Sequence, residues 1–271
     1  MDLHRGDFAA NRRVLTLSLI AAVIGGASAC VALLLLRLIA LFTNLFFFQR
    51  LSIAQVAPST SHLGWQLVLV PAIGGLIVGL MARFGSERIR GHGIPEALEA
   101  ILFGKSRMGL KVAILKPLSS GIVIGSGGPF GAEGPIIMTG GALGSLIAQN
   151  FHLTAAERKA LLVAGASAGM AAVFDTPVAA VLLAVELLLF EWRPRSLIPV
   201  ALAVAVATVL RSALLGSGPL FPMSGTGELG PLGFVSCVVA GLLAGALGAL
   251  LTVSVYACED AFHRLPIHWM W

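Results

Sequence analysis

The sequence predicts an all-helical, polytopic membrane protein, and three observations carry that prediction. Of its 271 residues, 57% are hydrophobic and only 11% charged, against roughly 25% charged in a soluble domain. Apolar stretches of the length a bilayer requires, about 20 residues, recur along the chain. Twice a glycine-rich turn leads through a proline into a helix, at Gly91 to Ile101 and at Gly125 to Ala148. Such interrupted helices are tolerated at membrane depth only where they are buried in protein or line a wet cavity, although spacing alone equally allows two ordinary loop-to-helix junctions.

The elements follow in order. Arg5, Arg12 and Arg13 precede an apolar run from Val14 to Phe48, broken only by Arg37 and a few polar residues. It is too long for the ~7–15-residue core of a signal peptide, so a long uncleaved membrane helix is expected rather than a leader ending at GASAC and Cys30. The positive-inside rule then puts residues 1–13 in the cytoplasm as a short N-terminal segment. Gln49 to Leu63 is a polar connection, and Gly64 to Ala82 a second apolar span. A band of positive charge follows, Arg83, Arg88, Arg90, Lys105, Arg107, Lys111 and Lys116, of the kind that marks cytoplasmic loops or their flanks. Inside it GHGIPEALEAI predicts a short helix after a GxG turn.

Gly131 to Pro135 opens the next helix, Ile136 to Asn150, whose glycines at 140, 141 and 144 allow close packing in lipid. Proline is favoured at the first helical position. The first N–H groups and the positive end of the dipole then face whatever lies in front, a ready anion site. Glu133, standing at that end, can occupy the site itself or leave it to a mobile anion. Thr154 to Arg158 predicts a capped restart, with Glu157 at the third helical position. The run from Ala160 is interrupted at Asp175 and Pro177, which predicts two helices, with Asp175 as N-cap of the second. Ser196 to Leu215 is another span, Gly216 to Gly230 a loop, and Pro231 to Tyr256 a final span before the polar end CEDAFHRLPIHWMW.

The net charge of +5 does not indicate nucleic acid, because the basic residues are scattered between apolar spans rather than set among aromatics. Cys30, Cys237 and Cys258 form no CxxC, so neither a metal site nor a disulfide framework is expected and they read as packing residues. No nucleotide or metal-ligand motif appears and no cofactor is expected. GASAG, Gly165 to Gly169, has the GxSxG spacing of serine hydrolases, and an intramembrane serine protease acting through Ser167 is the enzyme alternative. Its flanks are a helical alanine-glycine run, and no histidine lies between His152 and His263, so close helix packing is the reading adopted. Glu186, alone in an apolar helix, either serves function, as ionisable residues in spans do by default, or caps a neighbouring helix. His92 is a loop histidine facing water or a donor to a bound anion.

GHGIPE, GGPFGAEGPIIMTGGALGS and AGASAGMAAVFDTPVAAVLLAVE, in that order and spacing, resemble the first half of the CLC family of chloride channels and proton-coupled chloride antiporters. The resemblance runs from the first long helix to the C-terminal end. It implies an all-helical fold, residues 14–271 forming the first half of an inverted-repeat architecture with broken helices around a central anion site. It further implies a homodimer with one pore per subunit, in a bilayer taken to be a bacterial cell membrane, with chloride as the transported ion. Glu133 would be the gating glutamate, Gly91, His92, Gly93, Ile94 and Pro95 the first signature of the pore, and Gly131, Ala132, Gly134 and Pro135 its second.

Three departures qualify what is implied. The first signature usually has a serine where this chain has His92, and an imidazole is larger and carries a pH-dependent charge, so the resemblance leaves anion selectivity open at that position. Antiporters that use an internal proton glutamate have it directly after the residue matching Glu186, and here Leu187 stands there, which leans toward a channel over a proton-coupled antiporter. The second half, with its own signature and the tyrosine that completes the anion site, is absent, and the only tyrosine is Tyr256. The expectation is a fragment, transporting or not, in preference to a half that pairs with another copy or a separately made second half. An unpaired half would expose helix ends that lipid cannot satisfy.

Overall fold

A helix is the only regular element among the residues that the computed structural model describes, 12–61, 63–216 and 230–266. The first is α1, Arg12–Phe48, and its 37 residues reach about 55 Å at 1.5 Å per residue, well beyond a ~30 Å hydrocarbon core. After the irregular connection comes a 3₁₀ turn, Gly64–Val68, continuing into α2, Leu69–Phe84. Then follow α3, Ile94–Leu102, α4, Leu110–Gly125, α5, Glu133–Gln149, and α6, Ala155–Phe174. Last in this part are α7, Pro177–Leu183, running into a π-helical turn, Ala184–Leu189, and α8, Pro194–Leu215.

The chain divides near residue 220 into two compact units. The second holds α9, Pro231–His263, an apolar helix that continues for two turns past Tyr256 through residues expected to be its polar end. Residues 1–11 of the expected cytoplasmic segment, 62 of the expected polar connection, 217–229 of the expected loop and 267–271 of the expected polar end lie outside the described residues. Among the described residues, four helices are long and apolar enough to cross a membrane, Arg12–Phe48, Gly64–Phe84, Pro194–Leu215 and Pro231–His263.

Within the first unit α6 is the axis, packed against α1, α5 and α8. Leu161, Leu162, Val163 and the alanines at 164, 166, 168, 171 and 172 are fully buried. Lipid tails are as apolar as leucine, so close van der Waals packing rather than the hydrophobic effect holds such helices together. Glycine supplies the closeness: a Cβ on Gly165 would overlap the carbonyl oxygen of Gly140, and one on Gly140 would overlap that of Gly165. GASAG is therefore a packing seam, and Ser28 of α1 donates to the Gly165 carbonyl at 3.2 Å. Ser167 is fully buried and its Oγ has no hydrogen-bond partner among the described residues.

Three expectations are corrected. Residues 110–125, where Lys111 and Lys116 stood in the band expected to mark loops or their flanks and 117–124 carried no expected element, form α4, because the charges at 111 and 116 leave the apolar periodicity of LKVAILKPLSSGIVIG intact. Asp175 does not cap α7. It ends α6 in the left-handed conformation, φ 57°, and ion-pairs at 3.1 Å with Arg211 of α8, while Thr176 precedes Pro177. The cysteines are not core residues, since all three are free and exposed. By contrast the box at Thr154 forms as expected, with Glu157 N–H donating to Thr154 Oγ1 and Thr154 N–H to the Glu157 carboxylate.

Candidate functional site

The two glycine-led helix starts, about forty residues apart in sequence, meet. Gly91 and Gly93 have φ of 88° and 113°, conformations that a side chain would strain, and they turn the chain so that α3 begins at Ile94 with Pro95 in its second position. At the junction a Cβ on Gly134 would overlap the carbonyl oxygen of His92, and one on Gly93 would stand 2.5 Å from the carbonyl oxygen of Gly134. Backbone therefore rests directly on backbone, and no other residue fits at 93 or 134. The predicted groups Gly91–Pro95 and Gly131–Pro135 form one locus. The helix start differs slightly from expectation: α5 begins at Glu133 with Ala132 preceding it, and Pro135 is third rather than first. Ile136 N–H donates the first helical bond, to the Ala132 carbonyl at 3.0 Å. A proline at the third position loses nothing, because the N–H it lacks would have no intrahelical partner.

The two helix ends are electrostatically unequal. At α3, Glu96 folds back and its carboxylate accepts from the Gly93 N–H at 2.7 Å, so that helix's own side chain engages its positive end. At α5 no side chain caps the first turn. Glu133 is exposed there, and its carboxylate has no hydrogen bond or ion pair with a described residue. Free N–H groups and the dipole leave that end open to an anion, with one mobile carboxylate at its lip. His92 is exposed as well, and its Nδ1 lies within 3 Å of the space a Cβ on Gly134 would fill.

Sequence reasoning missed Lys116. It sits in α4 at 2% exposure, and its Nζ donates to the carbonyls of Ile89 at 3.0 Å and Gly91 at 2.8 Å. It thus ties down the loop that presents His92. The signal was available: a single lysine flanked by apolar residues in a helical stretch is a functional-site candidate by default, and grouping it with the loop charges hid it. Behind the loop lies a cavity of about 870 Å³ whose wall includes Gly91, Glu96, Arg88, Arg90 and Arg107. Glu186 is exposed in the π-helical turn beside Leu187, away from any described partner. No group of three or more potential metal ligands occurs among the described residues.

Comparison with known proteins adds the following. Residues 73–271 match the family described as Voltage gated chloride channel. The chain is 32% identical over 226 residues to the voltage-gated ClC-type chloride channel ClcB of Yersinia pseudotuberculosis, covering 81% of this chain and 54% of that protein. It is 26% identical over 204 residues to a putative chloride channel protein ClcB-like of Ralstonia nicotianae, covering 74% and 48%. The chain thus spans about half the length of the curated relatives it matches. Among solved structures, a slow cyanobacterial Cl⁻/H⁺ antiporter superposes with a TM-score of 0.73 at 21% identity, over 98% of this chain and 60% of that one, a likeness of fold.

Proposed function

We propose, since the chain belongs to the voltage-gated chloride channel family, that it builds the gate and half of the anion site of a chloride-conducting path across a membrane. The reading rests on one observation above the rest: the open N-terminus of α5, with Glu133 at its lip, is seated against the His92–Gly93 backbone. An anion entering that end meets N–H groups and a helix dipole. The Glu133 carboxylate competes for the same place, and protonation or a swing of the side chain releases it. Residues Gly91, His92, Gly93, Ile94 and Pro95 form one wall, and Gly131, Ala132, Gly134 and Pro135 the other.

The rest of the anion's coordination comes from helices beyond those described, in a second half of the fold, and two such pores form a homodimer. The membrane is a bacterial cell membrane, as the bacterial relatives favour, with the N-terminus cytoplasmic. The reading includes no cofactor, no metal and no chemical reaction, chloride being cargo. A channel is preferred because Leu187 cannot carry a proton. The second reading, a proton-coupled antiporter, draws on the antiporter whose fold this chain shares.

Chloride efflux from liposomes, with external pH recorded at the same time, tests both. The pathway is completed with the second half of a relative where the chain alone is silent. Glu133→Gln is expected to abolish the pH dependence of efflux, and an unchanged profile removes Glu133 from the gate. Proton movement driven by a chloride gradient replaces the channel with the antiporter.

A further inference from the structure

Away from the pore locus, a second cavity of about 520 Å³ opens where the start of α1, the end of α5, the start of α6 and the loop before α4 converge, lined by Arg13, Arg107, Arg158, His152, Gln149 and Phe151 among others. None of its lining residues is acidic. One of the three guanidinium groups is neutralised nearby, since Arg13 donates to both carboxylate oxygens of Glu157. Arg158 is held in place by neutral acceptors, donating to the Leu153 carbonyl at 2.8 Å and to the Lys105 carbonyl at 3.5 Å. Arg107 donates its backbone N–H to the Gly104 carbonyl at 3.0 Å, and its guanidinium has no hydrogen bond or ion pair with a described residue. Two guanidinium charges are thus gathered around one cleft whose lining holds no carboxylate, and their mutual repulsion favours an anion there.

The geometry points to a binding site for a phosphate group, and we propose that its occupant is the headgroup phosphate of an anionic membrane lipid. Arginine forks match phosphate oxygens two at a time, and a cleft of this volume holds a headgroup rather than a single halide. The location favours a lipid over free phosphate. Arg13 stands at the very start of the 37-residue apolar helix α1, so the cleft lies at the level where a span meets the headgroups. Phe151, 48% exposed on its rim, is an aromatic of the kind found at that level. The site is separate from Glu133 and His92 and does not depend on the transport reading.

The test uses the full chain, purified in mild detergent and exchanged into nanodiscs of phosphatidylcholine with a minor fraction of phosphatidylglycerol, and counts retained lipids by native mass spectrometry. The expected result is retention of one phosphatidylglycerol per chain above the background of phosphatidylcholine. Arg107→Gln should weaken it roughly tenfold, as the loss of a charge-assisted pair implies. Lys111→Gln, which removes an equal charge on exposed surface outside the cleft, should leave it unchanged. Circular dichroism confirms that both variants keep their helices, and Arg158→Gln serves as the second variant if Arg107→Gln does not fold. Equal retention of both lipids, or an equal fall in Arg107→Gln and Lys111→Gln, overturns the site. Displacement of the lipid by millimolar inorganic phosphate, which then binds in its place with Arg107 still required, keeps the phosphate site and overturns the lipid as its occupant.

Discussion

Lys116 donates to two carbonyl oxygens of one loop from a position water does not reach. Replacing it by methionine keeps the apolar stem and strands both acceptors. An unmet buried acceptor costs about 1–3 kcal/mol, and of the two the Ile89 carbonyl is the buried one, so Lys116→Met should lower stability by about 2 kcal/mol, read as a fall in the melting midpoint of the purified chain in detergent. An unchanged midpoint would show that the Ile89–Gly91 turn stands without it. A different residue answers to acid. The Arg13 guanidinium, bonded to the Glu157 carboxylate, holds that carboxyl down from about 4.5 to about 2, at the polar ends of α1 and α6. A carboxyl depressed by folding stabilises the native state fully above its unfolded value, near 4.5, and loses that contribution as pH falls through its folded one, near 2. Wild type should therefore be more stable than Glu157→Gln by a constant margin at about pH 5 to 7, and the margin should shrink to nothing toward pH 2. A margin that does not change with pH would mean that Glu157 acts through its neutral capping contacts alone.

Helix against helix, the α5–α6 seam turns a helix-weakening residue into a requirement. In a free helix, glycine to alanine gains roughly 1 kcal/mol. At Gly165 the added methyl would run into the Gly140 carbonyl, and such overpacking costs about 1–3 kcal/mol, so the sign reverses. Gly75 in α2 is the internal control, for nothing lies within 4 Å of its would-be Cβ. Gly165→Ala should lower the melting midpoint and Gly75→Ala raise it slightly, and two shifts of the same sign would dismiss the seam. Helical spacing made these elements legible in the sequence. The break at Asp175–Pro177, the box at Thr154 and Glu157, and the paired starts at Gly93 and Glu133 were all marked by residues whose conformational demands are local. What stayed hidden depended on partners distant in the chain: Asp175 found Arg211 across α6 and α8, and Lys116 found a loop 25 residues away. Nothing in a local window distinguishes a capping carboxylate from one that pairs with a buried arginine.

In the first unit, arginines gather around two neighbouring cavities. The two cavities share Arg107, one also being lined by Arg88 and Arg90 and the other by Arg13 and Arg158. Basic residues from Arg13 to Arg158 thus converge, although the linear pattern displayed them only as a band and some scattered charges. In the proposed orientation, which follows the positive-inside rule, the end that gathers Lys and Arg is the cytoplasmic one, and Lys111, exposed in the first turn of α4, belongs to the same band. The orientation becomes testable once Cys30, Cys237 and Cys258 are replaced by serine, so that an introduced thiol is the single one that can report. In that background Lys111→Cys should be labelled by a membrane-impermeant maleimide in inside-out vesicles and stay silent in intact cells. Labelling from the outside would invert the topology and place the arginine-lined clefts opposite the leaflet whose anionic surface attracts such residues. Because the start of α1 borders the same cleft through Arg13, one labelled position fixes the side of the N-terminus and of the basic end together.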